Sequence, residues 1–94
     1  MKVFFEWDAG NDVKSYTKHG VSCLEAESVF QDPQRLDFSD PLHSSREKQY
    51  ISLGRSNRPR TLCLAWTLRR NKVRIISARP TSRKERTLYE EKKR

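Results

Sequence analysis

The sequence predicts a small single domain of the α+β class, and three kinds of pattern support that prediction. Apolar residues alternate with other residues in four short segments, which is the period of a β-strand. Two capping boxes of the form Ser-x-x-Glu, at Ser22 and Ser82, mark helix starts. The last three predicted strands are joined by short connections, which favour antiparallel pairing. The expected order is strand, helix, helix, a three-strand antiparallel meander and a short C-terminal helix.

One strand and two helices are expected in the first half of the chain. Val3, Phe5 and Trp7 recur at the spacing of a strand. Asp8 can then cap a helix over residues 8–18, and Gly20 supplies a left-handed stop after it. The second helix starts at its capping box, ends at the Asp-Pro pair at positions 32 and 33, and has a predicted buried face of Leu24, Ala26, Val29 and Phe30.

The second half is expected to contain the meander. Residues 34–47 are rich in Asp and Ser and are predicted as a loop, with a short edge strand around residues 35–38 as an alternative. Strands follow over residues 49–54, 61–68 and 73–78, separated by the turn segments GRSNRPR and RRN. Pro80 ends the last strand. The C-terminal helix has only Leu88 and Tyr89 to bury, so residues 90–94 are expected to fray.

The composition indicates one domain, residues 1–94, with a strongly basic second half. The hydrophobic and charged fractions are both 34%, so the core must be assembled from short apolar segments. The formal net charge is +8, and sixteen of the twenty Lys and Arg residues lie from position 46 onward. Such a surface attracts polyanions, of which nucleic acid is the first candidate. An anionic membrane and an acidic protein partner are the alternatives.

The sequence shows no pattern typical of export, membrane insertion or metal binding. No apolar run approaches the roughly 18 residues of a membrane span, and the first residues lack a signal peptide's apolar core, so we expect a cytoplasmic protein. Cys23 and Cys63 are far apart and, with His19 and His43, show no metal-ligand spacing. Both cysteines are expected to be reduced, and no cofactor is expected.

Three polar groups are candidates for acid–base chemistry. Histidine suits proton transfer near neutral pH, but His19, at a helix end, could equally cap carbonyl groups there. Glu47 is either a base or a surface ion-pair partner. Tyr89 shares a helix face with Glu85, so its hydroxyl is either functional or part of a residue that only covers the sheet.

Arg74 and Arg79 flank a short apolar run and are candidates for phosphate binding. Guanidinium groups bind phosphate through paired hydrogen bonds and stabilise the charge that develops during transfer. Five residues apart, the two side chains would point to opposite faces of an unbroken strand, so a shared site requires a bend near Pro80. The alternative is one exposed arginine and one at a strand end.

Four blocks of the chain, in order over nearly its whole length, form a recognisable pattern. They are FFEWD at 4–8, KHGVS at 18–22 with EAESVFQDP at 25–33, REKQYISLG at 46–54 and RIISARPTSRKERTLYEE at 74–91. Together they resemble the BrnT family, the toxin half of a bacterial type II toxin–antitoxin system. The family's recurring polar positions are present here as Lys18, His19, Glu47, Arg74, Arg79, Glu85, Arg86 and Tyr89.

The resemblance implies a small ribonuclease of RelE-like fold that cuts RNA without a metal and arrests growth. It also implies a BrnA-like antitoxin partner with a ribbon-helix-helix segment, and a complex that binds DNA through this antitoxin. The chain departs from the family's pattern at Asn11, Ser15 and Gln49, where lysine, asparagine and arginine are usual.

The expected reaction is attack of a ribose 2′-hydroxyl on the neighbouring phosphate. Glu47 or His19 is expected to act as base or acid, Arg74 and Arg79 as phosphate clamps, and Tyr89 as proton donor or base-stacking platform. A nonenzymatic nucleic-acid-binding module and a degenerate toxin kept as an antitoxin scaffold are the alternatives. The residues expected to bind RNA are Lys18, Arg55, Arg83 and Arg86.

Overall fold

The structure, a computed structural model, describes residues 4–6, 19–43 and 47–92. Within these ranges the chain forms five strands, two α-helices and two short 3-10 turns. In chain order they are β1 (Phe5–Glu6), α1 (Cys23–Ser28), a 3-10 turn (Val29–Gln31), β2 (Leu36–Ser39), a second 3-10 turn (Pro41–His43), β3 (Gln49–Arg55), β4 (Thr61–Arg69), β5 (Lys72–Pro80) and α2 (Arg83–Lys92).

The strands form one mixed sheet in the order β1-β5-β4-β3-β2. The α+β class is confirmed, but the predicted order of elements is wrong because the antiparallel meander has four strands, β2 to β5, and not three. Leu36 and Phe38 pair with Leu53 and Ile51 and make β2 an edge strand of the sheet, in a segment whose polar composition had favoured a loop. β1 lies parallel to β5 at the other edge. The helix predicted over residues 8–18 lies outside the described residues.

One face of the sheet, which we call the α1 face, packs against α1 and the 3-10 turn that follows it. The ring of Phe30 makes edge contacts with Phe5 and Trp66, at centroid distances of 5.4 and 5.3 Å. The buried residues of this core are Val21, Ala26, Val29, Phe30, Leu62, Leu64, Trp66, Val73, Ile75 and Ala78.

The buried face of α1 contains a glutamate where the sequence predicted a leucine. Leu24 is 73% exposed, whereas Glu25 is 2% exposed. The helix turns Glu25 inward because Arg60 receives its carboxylate in a two-point ion pair, with nitrogen–oxygen distances of 2.7 and 2.6 Å. The predicted buried position of Leu24 was therefore wrong, since an ion pair rather than hydrophobicity orients this helix.

The opposite face, which we call the α2 face, packs against α2. The capping box predicted at Ser82 is confirmed, since the Glu85 amide donates to Ser82 Oγ and the Ser82 amide donates to Glu85 Oε1. The helix continues to Lys92, past position 90 where we expected fraying. The core under α2 consists of Leu53, Cys63 and Tyr89, with Leu36, Ile51 and Leu88 partly buried beside them.

A bulge in β5 decides which of its side chains share a face. Trp66 lies opposite Ile75 and Ala65 opposite Ser77, so Ile76 is an extra residue in β5. One inserted residue reverses the alternation of the strand beyond it. Arg74 and Arg79 consequently both lie on the α2 face, and the bend expected near Pro80 is replaced by a bulge at Ile76.

Candidate functional site

Four charged side chains meet at one end of the α2 face. Arg74 Nη1 lies 3.4 Å from Glu6 Oε1, and Arg69 Nη1 lies 4.0 Å from the same oxygen. Arg69 Nη2 lies 2.9 Å from Glu47 Oε1. We call Glu6, Glu47, Arg69 and Arg74 the charge cluster; β1, β4, β5 and the segment before β3 each contribute one of its members.

The charge cluster keeps Glu47 ionised. The hydrogen bond from Arg69 lowers the pKa of Glu47, and the positive charge of Arg74 lowers it further. An exposed carboxylate beside two guanidinium groups can accept a proton while the guanidiniums bind an anion. Each guanidinium has five N–H donors, so an arginine that pairs with a glutamate still keeps donors for a phosphate.

Arg79 forms a second ion pair on the same face. Its Nη1 and Nη2 atoms each lie 2.8 Å from a carboxylate oxygen of Glu85, and Nη1 also donates to the Pro80 carbonyl. The hydrogen bonds from Arg79 hold the pKa of Glu85 at about 2, with further hydrogen bonding from Ser82. The pair therefore joins the end of β5 to the first turn of α2.

Arg74 and Arg79 share a face and lie opposite positions of β4 that are four residues apart. Arg74 lies opposite Thr67, and Arg79 lies opposite Cys63. Four residues of an antiparallel strand span about 13 Å. The shared phosphate clamp of Arg74 and Arg79 stays a prediction, and this spacing also suits contacts with neighbouring phosphates of one strand. Arg69 and Arg74 are closer together, since both contact Glu6 Oε1.

Tyr89 is enclosed in the α2-face core. Its side chain is 1% exposed, and its hydroxyl donates a hydrogen bond of 2.6 Å to Asp32 Oδ2. Burial and the hydrogen bond to Asp32 raise the pKa of Tyr89 to about 12. A ring in this position cannot stack on an RNA base without leaving the core, so its geometry favours a structural contact between α2 and Asp32.

His19 lies far from the charge cluster. Gly20, which has the left-handed φ of 68° that its position predicted, accepts a hydrogen bond from Arg60 through its carbonyl. Arg60 and Arg69 are at opposite ends of β4, and nine residues of strand span about 30 Å. The structure thus separates His19 from Glu47. Lys18 lies outside the described residues.

The remaining predicted RNA-binding residues lie towards the Arg79 end of the α2 face. Arg55 is exposed at the end of β3, and its amide donates to Asp32 Oδ2 at 2.8 Å. Arg83 and Arg86 are exposed on α2. Together with Arg79 they form a basic rim, a name we keep for Arg55, Arg79, Arg83 and Arg86.

Sequence reasoning missed two members of the charge cluster. Glu6 lies in the FFEWD block and is predicted only as a strand residue, and Arg69 lies in the predicted turn segment RRN. Arg69 has the same strand parity as Cys63 and Thr67, which would have placed it on their face of β4. Its ion pair with Glu47 depends on the register between β3 and β4, which cannot be predicted from local sequence patterns.

The part of the chain that the structure describes contains no group of three or more His, Cys, Asp or Glu side chains that could hold a metal ion. Within the same residues, no helix has the length and apolar character needed to cross a membrane.

Comparison with known proteins identifies the family. The family model described as "Ribonuclease toxin, BrnT, of type II toxin-antitoxin system" matches residues 7–85. The chain belongs to the BrnT family. Membership makes it a toxin with ribonuclease function, and it implies RNA as the target and an antitoxin as the partner. The resemblance seen in the sequence is thereby confirmed.

A structural relative supports the same fold. The 1.1 Å crystal structure of the Brucella abortus ribonuclease toxin, BrnT, aligns with a TM-score of 0.62 over 87% of this chain and 100% of that chain. The sequence identity is 16%, so this comparison establishes the BrnT fold and not the roles of single residues. A search of curated proteins returned no match.

Proposed function

We propose that this BrnT-family chain is a metal-independent endoribonuclease that cleaves RNA through its own 2′-hydroxyl and is neutralised by a BrnA-like ribbon-helix-helix antitoxin. The charge cluster is the observation that carries the proposal. It combines an ionised carboxylate, Glu47, with the guanidiniums of Arg69 and Arg74 on an exposed sheet face. These are the groups that such a reaction requires.

Each group has one role in the proposed reaction. Glu47 accepts the proton of the ribose 2′-hydroxyl as its oxygen attacks the adjacent phosphorus. Arg69 and Arg74 bind the non-bridging phosphate oxygens and stabilise the charge that accumulates on them. The bond to the 5′-oxygen then breaks, and water supplies the proton that the leaving oxygen takes up. The products are a 2′,3′-cyclic phosphate and a free 5′-hydroxyl.

The basic rim holds the rest of the RNA strand. Arg55, Arg79, Arg83 and Arg86 contact phosphates on one side of the scissile bond, and Lys18 remains a further candidate. Contacts of this kind add affinity without reading sequence and weaken as salt rises.

One observation favours a second candidate, a toxin of reduced activity that serves as an antitoxin scaffold. Gln49, where the family usually has arginine, pairs with Thr67, and Thr67 pairs with Arg74 on its other side. The substitution of glutamine for the family's usual arginine at position 49 therefore lies in the same cross-strand row as Thr67 and Arg74. A cation missing from this row would leave the transition state less well stabilised.

The first test removes single groups of the charge cluster. We expect Glu47→Gln and Arg74→Ala to lower RNA cleavage about 100-fold or more while the thermal melting temperature stays near that of the parent. Arg58→Ala is the matched control, because it removes one positive charge from the exposed β3–β4 turn, and should change cleavage less than threefold. Parental cleavage by both cluster variants would place the reaction elsewhere. A gain of activity in Gln49→Arg would favour the reduced-activity candidate.

The second test concerns metal and the product ends. Because Glu47 and the two arginines supply all charges in the proposed reaction, cleavage is expected to persist in EDTA and to leave a 2′,3′-cyclic phosphate or a 3′-phosphate. End-group analysis by mass spectrometry checks this result, with a magnesium-dependent nuclease as the control. Loss of cleavage in EDTA, restored by magnesium, would reject the mechanism.

A further inference from the structure

An apolar notch opens on the α2 face between α2 and the edge of the sheet. Its walls come from β2, β3 and α2, and it is an open depression of about 290 Å³. Phe38 on the edge strand is 40% exposed, and with the other apolar lining residues it forms a contiguous apolar surface, which is more informative than a single exposed side chain. The lining residues are Phe38, Ile51, Leu53, Glu85 and Leu88.

The notch continues into a longer groove along α2. This groove, of about 810 Å³, shares Glu85 and Leu88 with the notch and is also lined by Arg83 and Lys84. The apolar notch therefore lies next to the exposed cationic side chains of Arg83 and Lys84. A chain segment that placed an apolar side chain in the notch would bring its neighbouring residues against those cations.

The chemistry of this surface favours a protein segment over RNA. The notch is lined mostly by aliphatic side chains, which offer a phosphate no hydrogen-bond donor, and the carboxylate of Glu85 in its wall is already paired with Arg79. A second copy of this chain is disfavoured, because each copy has a net charge of +8. The fitting partner is an acidic segment with a large apolar side chain.

We propose that the notch and the α2 groove are the docking surface for the antitoxin of this type II pair. The antitoxin inserts an apolar side chain beside Phe38 and sets Asp or Glu residues against Arg83 and Lys84. Ile51, at the floor of the notch, is two residues from Gln49 in the row of the charge cluster, about 7 Å along β3. A bound segment therefore overhangs the RNA site and excludes the substrate.

This proposal rests on the toxin–antitoxin pairing in the proposed function, and one substitution separates the two. We expect Phe38→Asp to cleave RNA at the parental rate without antitoxin, and to be inhibited at least tenfold less well by the product of the adjacent antitoxin reading frame. Leu24→Asp is the matched control, because Leu24 is an exposed apolar residue on the opposite face, and it should be inhibited like the parent.

The measurements are cleavage inhibition, co-purification and hydrogen exchange of the parental complex. We expect the amides of β2 and α2 to gain protection when the antitoxin binds. The docking proposal would be wrong if Phe38→Asp were inhibited like the parent, or if the complex showed no new protection in β2 and α2. Either result would leave the ribonuclease proposal intact. Phe38→Asp that melts normally but no longer cleaves would assign the notch to RNA. If Phe38→Asp does not fold, the inhibition of Phe38→Ala and the hydrogen-exchange experiment test the docking proposal instead.

Discussion

Arg74 and Arg79, the two arginines that first suggested phosphate chemistry, are each held by a glutamate. Arg74 pairs with Glu6 across β5 and β1, and Arg79 pairs with Glu85 across β5 and α2. Such pairing fixes a guanidinium in one orientation before an anion arrives, which reduces the entropy lost on binding. It also reduces the net positive charge that the RNA meets. At the residue scale, the site therefore relies on orientation more than on total charge.

The Arg79–Glu85 pair should make stability depend on pH. The pKa of Glu85 is about 2 in the folded chain, below the value of about 4.3 for a free glutamate. A lowered pKa stabilises the fold above the free value, and this contribution is lost as the pH falls from about 4.3 towards 2. Between pH 6 and pH 3, the parent is expected to lose about 1 kcal/mol more unfolding free energy than Glu85→Gln, after allowance for solvent screening.

Urea unfolding at both pH values measures this difference. Glu91→Gln provides the control, because Glu91 is an exposed carboxylate on the same helix, and its pH dependence should match that of the parent. Equal pH dependence in the parent and Glu85→Gln would show that the pair contributes nothing to stability.

At the scale of elements, the block EAESVFQDP works as a connector. The carboxylate of Glu25 binds Arg60 and the Ser56 hydroxyl, and Ser28 Oγ accepts the Asn57 amide, so α1 is tied to the β3–β4 turn. Asp32 accepts hydrogen bonds from the Arg55 amide and the Tyr89 hydroxyl, which ties the 3-10 turn to α2. The block therefore positions both of the described helices on the sheet.

Gly54 permits the close approach of this connector to β3. A Cβ atom at Gly54 would lie 2.7 Å from Val29 Cγ1 and 3.1 Å from Arg35 Cβ. Gly54→Ala is therefore expected to lower the unfolding free energy by about 1–3 kcal/mol, as overpacking in a core does. Denaturant unfolding measures the loss, and Ser77→Ala, at an exposed position of β5, is the control with a change below about 0.5 kcal/mol. A Gly54→Ala variant as stable as the parent would mean that the 3-10 turn shifts freely.

At the scale of the whole molecule, the two faces of the sheet differ in role: one holds most of the core, and the other carries the candidate site. The α1 face is closed by α1 and contains most of the apolar core, and its ion pair of Glu25 with Arg60 is nearly buried on the glutamate side. Among the described residues, the α2 face packs against α2, and it carries the charge cluster, the basic rim and the apolar notch. Substrate and antitoxin are therefore proposed to meet the same face, which makes inhibition by direct competition possible.

The sequence by itself determined the class of the fold, the helix N-caps at Ser22 and Ser82, three of the four meander strands and the family. These features depend on local patterns: the period of two in strands, Ser-x-x-Glu at helix starts, and four sequence blocks in order. Only the tertiary structure decided which of the candidate site residues lie close together. The bulge at Ile76 brought Arg74 and Arg79 to one face, the strand pairing joined Glu47 to Arg69, and the burial of Tyr89 withdrew it from the surface. Each of these outcomes depends on register or packing between distant segments, and no local pattern encodes either one.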